Sequence, residues 1–278
     1  MIDSVTTIGD AGDLSCWSGT PFHFAQAARS IGWKAEPWRI NMNGFRWPRR
    51  LWNMLRYVHG NGIGGYQYSD SFAKRALAMV SPSLLSGRVL SFSQYFPPLD
   101  AISRAHGTAY LYLDATFPLL LSRYRVGEKL PPAIQKEALE KEHRAFRLAE
   151  RLVFFQRWSA ESAVRDCGAD PAIVSVICPG ANLELPADWD FAYNDRLPSK
   201  RRPLVLGFVG KDWRRKGLPF LLDVRRSLAR IGIPAVVRCA GGVPDVPPTD
   251  GGIDHWGFID KNRNPERFHE FLKGCDIG

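Results

Sequence analysis

Two lysines five positions apart, Lys211 and Lys216, are the side chains best placed to do chemistry, in the run LVLGFVGKDWRRKG from Leu204 to Gly217. The run opens as an apolar strand, as a strand covered on both faces must be. It turns at Gly210, where a missing Cβ permits a tight exit and close backbone approach. A helix is expected to follow from about Leu218 to Arg230, closed by Gly232. A helix N-terminus offers free N–H groups and the positive end of the dipole. With two cationic side chains beside it, this turn would seat a phosphate or diphosphate. A plain βα turn with solvated lysines has the same signature.

Other basic residues are grouped as well. Arg46, Arg49, Arg50 and Arg56 lie among Trp47, Trp52 and Tyr57, and a second cluster joins Lys200, Arg201, Arg202, Arg214 and Arg215 to the two lysines. The formal net charge of +9 suits nucleic acid, an anionic membrane surface or a phosphorylated substrate.

The five cysteines are scattered, with no CxxC pair, which favours reduced thiols in a cytosol-like compartment and argues against a zinc site. None of the six histidines shows HExxH spacing. The chain has no GxSxG, no GxGxxG after a strand, and no GK[ST] after GNGIGG at 60–65. No apolar run reaches the roughly 20 residues of a membrane span, and the N-terminus does not read as a signal peptide.

The elements that must position these residues alternate between strand and helix over 278 residues, enough for two domains. Strands are expected at Ile2–Ile8, Trp33–Ile40, Val89–Phe92, Ala109–Leu113, Leu152–Phe155 and Ile173–Ile177. Helices are expected at Pro21–Ile31, Ser69–Val80, Pro131–Arg151 and Ser159–Cys167, the first capped by Thr20 with Gly32 past its end. Residues 47–58 form an amphipathic stretch in which Trp47, Leu51, Met54, Leu55 and Val58 share a face. A proline-rich, aperiodic stretch marks a linker at 181–203 between a domain at 1–180 and one at 204–278. In the second domain, strand 204–209, helix 218–230 and strand 235–239 make a βαβ unit, followed by Ile253–Ile259, a helix at Pro265–Lys273 and the start of another strand at Cys275–Ile277. A doubly wound domain usually needs on the order of 100–150 residues, so the second domain is expected to be incomplete and the chain a fragment.

Taken in order, strand–WSGT–helix (17–20), a strand leading to CPGAN (178–182), a linker, FVGKDWRRKG (208–217), AVVRCAGG (235–242) and HWGFI (255–259) resemble the retaining glycosyltransferases of the GT-B fold, glycosyltransferase family 4. The resemblance covers nearly the whole chain. It implies two Rossmann-like parallel-sheet domains facing a cleft. The implied reaction is hexosyl or other glycosyl transfer from a nucleoside-diphospho-sugar to a glycan, lipid or small-molecule acceptor, with retention.

By this resemblance Lys216 binds the donor diphosphate, and Lys211 stands where the family has arginine, so it contributes a point charge in place of a bidentate fork. Gly19 and Thr20 match the loop that faces the donor phosphates, with Gly210 on the opposite side. His255, Gly257 and Phe258 match the loop near the nucleobase. Asp114, in YLDATF, stands where many members place a histidine near the reacting sugar, and with Lys216 it is the expected catalytic group. The family's paired glutamates, with seven residues between them, fall beyond the end of this sequence.

The resemblance implies no metal and no cofactor, the nucleotide-sugar being a co-substrate. It also fits a cytoplasmic protein. The basic aromatic stretch at 46–57 suits contact with the acceptor or, peripherally, with the inner face of an anionic membrane, and the plainer reading is a surface helix whose tryptophans pack inward. Two rival readings stand beside it: a transferase fragment that turns over nothing, and a basic nucleic-acid-binding protein.

Overall fold

The structure is a computed structural model that describes residues 1–124, 130–183, 202–242 and 252–277. The chain divides into two compact units, Met1–Asn182 and Leu183–Gly278. Most of the expected linker lies outside the described residues.

The first unit is a parallel sheet of six strands in the order β2-β1-β3-β4-β5-β6: β1 (Ser4–Thr6), β2 (Glu36–Pro37), β3 (Arg88–Ser91), β4 (Thr108–Leu113), β5 (Arg151–Phe154) and β6 (Val174–Val176). Helices α1 (Thr20–Ser30), α3 (Asp70–Leu77), α4 (Leu99–Arg104), α5 (Phe117–Ser122), α6 (Pro132–Leu148) and α7 (Arg157–Cys167) belong to this unit, as does α2 (Arg46–Val58). Parallel strands need such crossovers, and the crossovers cover both faces. Val5, Val89, Leu111, Leu152 and Phe154 are therefore fully buried.

Two expectations are corrected, and two helices are not expected at all. Strand Trp33–Ile40 shrinks to Glu36–Pro37, because Pro37 has no N–H to give a ladder and the strand lies at the sheet edge. Strand Ile2–Ile8 keeps only Ser4–Thr6. Its Ser4, Thr6 and Thr7 look too polar for a central strand, yet all three are buried. Helices α4 and α5, six residues each, are too short to show a helical period.

The second unit carries β7 (Leu204–Gly210), β8 (Ala235–Gly241) and β9 (Ile253–His255), parallel and in that order, with α8 (Leu218–Arg230) and α9 (Pro265–Lys273). Ile277 pairs with Leu206 in parallel on the free side of β7, where the sequence leads one to expect a new strand. Asp276 holds that register: its carboxylate accepts from the Val205 N–H at 2.8 Å and from Arg202 at 2.7 Å. β7 is thus flanked by β8 on one side and by the returning chain on the other. That is a switch point, and α/β sheets bind ligands at the carboxyl ends of strands beside one. The first unit has its own switch point between β1 and β3, where successive crossovers leave in opposite directions.

Candidate functional site

The second unit places Lys211 and Lys216 at the carboxyl end of β7. Gly210, Gly241 and Gly242 let three exit loops close on one another there. The Gly241 N–H donates to Gly257 O at 2.9 Å, the Gly242 N–H to Gly210 O at 3.1 Å, and the Trp256 N–H to Cys239 O at 2.8 Å. A Cβ on Gly241 would overlap the Gly210 backbone, and one on Gly242 would overlap the Lys211 carbonyl. A Cβ on Gly210 would press on the stem of Lys216, 3.2 Å from its Cγ. The glycines therefore set where the lysines stand.

The four basic residues of the turn separate cleanly. Arg215 pairs with Asp212 at 3.2 Å, and the Arg214 guanidinium stacks on Trp213 at 4.8 Å. The Lys211 ammonium lies 4.9 Å over the Phe258 ring, which joins the β7 exit to the HWGFI loop. The Lys216 ammonium, exposed, takes no hydrogen bond or ion pair among the described residues. His255 is exposed at the end of β9, and Gly257 follows with φ 70°. Beneath that loop, Arg238 and the Trp256 indole both donate to Asp254, at 2.7 and 3.0 Å. Arg267 of α9 donates to Trp256 O at 3.0 Å.

The helix terminus itself differs from expectation. The N–H groups of Lys216, Gly217 and Leu218 are turned back onto the carbonyls of Asp212, Arg214 and Trp213, at 3.0, 3.2 and 3.0 Å. Pro219 has no N–H. Of the first-turn donors only the Phe220 N–H is left for an anion. The lysine side chains carry most of the positive potential.

The first unit brings together two motifs that are 160 residues apart in sequence. The Asn182 amide, from CPGAN, donates to the Thr20 hydroxyl at 2.7 Å and to Ser18 O at 3.4 Å in the WSGT loop. Thr20 in turn donates to Trp17 O at 3.0 Å. Trp17, Ser18 and Gly19 all have positive φ, 49°, 58° and 81°, a left-handed run that costs about 1–2 kcal/mol for each non-glycine residue. Gly19 is the buried N-cap of α1, with His23 and the Leu14 carbonyl each 3.1 Å from where a Cβ would stand.

Asp114 directly follows β4, with β3 between that strand and β1. Crowding by protein atoms pushes its carboxyl above the ordinary range, opposed by the Ala115 backbone N–H. The side chain keeps open solvent surface, and that exposure limits the rise. Its loop rests on side chains that the sequence reading passed over. Ser159 donates to Asp114 O at 2.6 Å, and Thr116 and Ser162 share a hydrogen bond of 2.7 Å. Glu142 of α6, fully buried, accepts from the Phe117 N–H at 2.8 and 3.1 Å, from Gln94 at 2.9 Å and from Cys167 at 3.3 Å. Burial pushes the Glu142 carboxyl up to about 7 against the pull of those donors. One signal pointed to it: Glu142 falls in the inward series Ile134, Ala138, Glu142, Ala145 of α6. The expected site residues thus form two groups, Gly19, Thr20 and Asp114 in the first unit, and Gly210, Lys211, Lys216, His255, Gly257 and Phe258 in the second.

No protein-family model matches the chain, and no curated protein is similar to it in sequence. Among solved structures it is similar to HepE of Anabaena in complex with UDP, at 16% identity and a TM-score of 0.54 over 94% of this chain and 70% of that one. HepE in complex with UDP and glucose gives 15% identity and a TM-score of 0.52 over the same shares. The fold is accordingly GT-B-like: α/β, with one six-stranded and one three-stranded parallel sheet among the described residues.

Proposed function

We propose that the protein is a glycosyltransferase that moves a sugar, a hexose or a related glycosyl group, from a nucleoside-diphospho-sugar to a glycan, lipid or small-molecule acceptor. The observation that carries this reading is the exposed Lys216 ammonium, without a hydrogen bond or ion pair among the described residues, beside Lys211 at the carboxyl end of β7, next to a switch point of the sheet. A diphosphate needs such fixed positive charge. It gains negative charge as the glycosidic bond breaks, and a preorganised cation lowers that barrier. In this reading Lys216 and Lys211 meet the diphosphate oxygens, and His255, Gly257 and Phe258 border the base. Gly19 and Thr20 approach the phosphates, and Asp114 accepts a hydrogen bond from a sugar hydroxyl. HepE holding UDP supports the donor class.

The finer parts of the proposal follow family 4: retention of anomeric configuration, no metal, no cofactor, and a cytoplasmic site of action with peripheral membrane contact. Titrating a panel of nucleoside diphosphates and their sugars into the full chain by calorimetry tests the donor seat. Saturable binding that survives EDTA and disappears in Lys216→Ala is expected. Binding unaffected by Lys216→Ala would remove the seat. The anomeric proton coupling of the product, read by NMR, decides retention.

A further inference from the structure

Helix α2, Arg46–Val58, has none of its residues buried, which is unusual for an amphipathic helix on an α/β unit. One face is docked. Trp52 packs on Tyr66 with ring centroids 5.7 Å apart, Arg56 stacks over Trp52 at 4.8 Å, and the Asn53 side chain accepts from the Gly64 N–H at 3.0 Å. The opposite face is apolar and open. Trp47 is 76% exposed, Leu51 54%, Met54 55%, Leu55 50% and Val58 73%, and at helical spacing the five fall within an arc of roughly 100°. An amphipathic helix normally turns such a stripe to the core, and contiguous exposed apolar surface marks an interaction site.

The charge around the stripe selects the partner. Between Glu36 and Asp70 the sequence has no acidic residue and five arginines, Arg39, Arg46, Arg49, Arg50 and Arg56. Arg50 borders the stripe, resting 5.2 Å over Trp47, and Arg46 lies on the same side of the helix, beyond Arg50. A second copy of the chain is a poor occupant, because a two-fold contact would set these arginines against their own images. Nucleic acid would use the arginines, but Leu51, Met54, Leu55 and Val58 offer it neither charge nor a stacking plane. An anionic bilayer uses both: a basic flank for phosphates, and an apolar face with a tryptophan for the headgroup boundary.

We propose that α2 is an interfacial anchor that lies flat on an anionic lipid surface. Trp47, Leu51, Met54, Leu55 and Val58 enter the boundary between headgroups and acyl chains, to a depth of about 5–10 Å, while the arginines hold lipid phosphates. The anchor rests on the peripheral membrane contact of the proposed function and gives it a site, while vesicle binding reads it separately from donor binding and turnover.

Cosedimentation of the full chain with vesicles tests it. With about 30 mol % phosphatidylglycerol in phosphatidylcholine, at about 50 mM salt, the protein is expected to pellet, to be released progressively by salt, and to stay in solution with phosphatidylcholine alone. Leu51→Asp with Leu55→Asp, at open positions, should weaken binding at least about tenfold with unchanged circular dichroism and unfolding temperature. Arg46→Glu with Arg50→Glu should remove the salt-dependent part. Three results would overturn the proposal: a wild-type chain that stays in the supernatant at low salt, a Leu51/Leu55 variant that pellets like wild type, or vesicle-independent binding to an RNA probe or to a second copy that the same variant abolishes.

Discussion

At the end of β7, basic side chains stand in solvent above a backbone packed glycine against glycine. At the end of β4, a loop of small residues rests on a carboxylate with no solvent at all. In the second unit Gly241 and Gly242 close on Gly210 and Lys211, and the exposed Lys216 side chain passes over Gly210. In the first unit Glu142, Gln94, Ser159 and Ser162 hold the 114–117 loop by its backbone N–H and carbonyl groups and by the Thr116 hydroxyl. A site for a mobile, multiply charged diphosphate is served by long cations on a fixed backbone. A loop that must present one short side chain, Asp114, needs its backbone fixed from below.

The largest effect is expected from Lys216→Ala. Losing a cation that acts on the leaving diphosphate should cost about 2–4 kcal/mol of transition-state stabilisation, a fall of roughly 30- to 1000-fold in kcat/KM for the donor. Lys216→Arg keeps the charge and should recover part of it. A Lys216→Ala enzyme with wild-type kcat/KM would show that the glycine-framed turn is structural only.

Next comes the opposite pole of the comparison. The Glu142 carboxyl has its pKa raised by burial to about 7, against an ordinary value of 4.5, so the folded state binds its proton more tightly than the unfolded state does. That contribution to stability is complete below about pH 4.5 and is lost as pH rises through about 7, amounting to roughly 3 kcal/mol over the window. Urea unfolding across that range should show the decline in wild type. In Glu142→Gln that component of the pH dependence should vanish, because a carboxamide oxygen still accepts from Phe117 and Gln94. An undiminished slope in the variant would mean that another group titrates. Glu142→Ala leaves those donors without an acceptor and should cost about 2–3 kcal/mol at any pH.

The two regions also differ in how far the sequence discloses them. The β7 turn is legible because its signals are local: an apolar run, a glycine, spaced lysines and a helical period. The same holds for Ile277, whose pairing follows from three residues of strand character after a helix. The support beneath Asp114 is not legible in that way. Glu142 meets Phe117 and Gln94 across 25 and 48 residues of sequence, and on a charged helix it looks like one more solvated glutamate. β1 is legible as a strand within Ile2–Ile8, but the burial of its hydroxyls is not: neighbouring elements cover them, and no property of Ser4 or Thr6 announces it. The Asn182–Thr20 contact joins two recognisable motifs, but only the fold brings them together. In α2 the apolar face is plain in the sequence, while its direction, outward, is set by which residues dock on Tyr66.

Gly241→Ala separates framework from chemistry in the second unit. Gly241 has φ 131° and its Cβ would overlap the Gly210 backbone, so the alanine should cost about 2–3 kcal/mol of stability in that unit. Hydrogen exchange would show the loss in β7 and β8 while β1, β3 and β4 stay protected. Uniform loss of protection across both sheets would mean that the two units unfold as one.

The smallest effects divide the four cations of the turn among themselves. Arg215 is tied to Asp212, three residues away in the same turn, in an exposed pair, and such pairs contribute about 0–1 kcal/mol. Arg215→Ala should therefore change neither stability nor donor affinity by more than about that amount. Lys211 lies over Phe258, whose ring is 59% exposed, so the stacking contributes about 0.5–1 kcal/mol. Lys211→Ala should raise the donor KM about fivefold with little change in kcat, since it loosens the loop bordering the base and leaves Lys216 in place. Phe258→Leu should reproduce most of that rise if Lys211 acts through the ring, and almost none of it if the ammonium meets phosphate directly. If Arg215→Ala proves as damaging as Lys216→Ala, the charge that matters is spread over the turn, and the glycine frame does not single out one lysine.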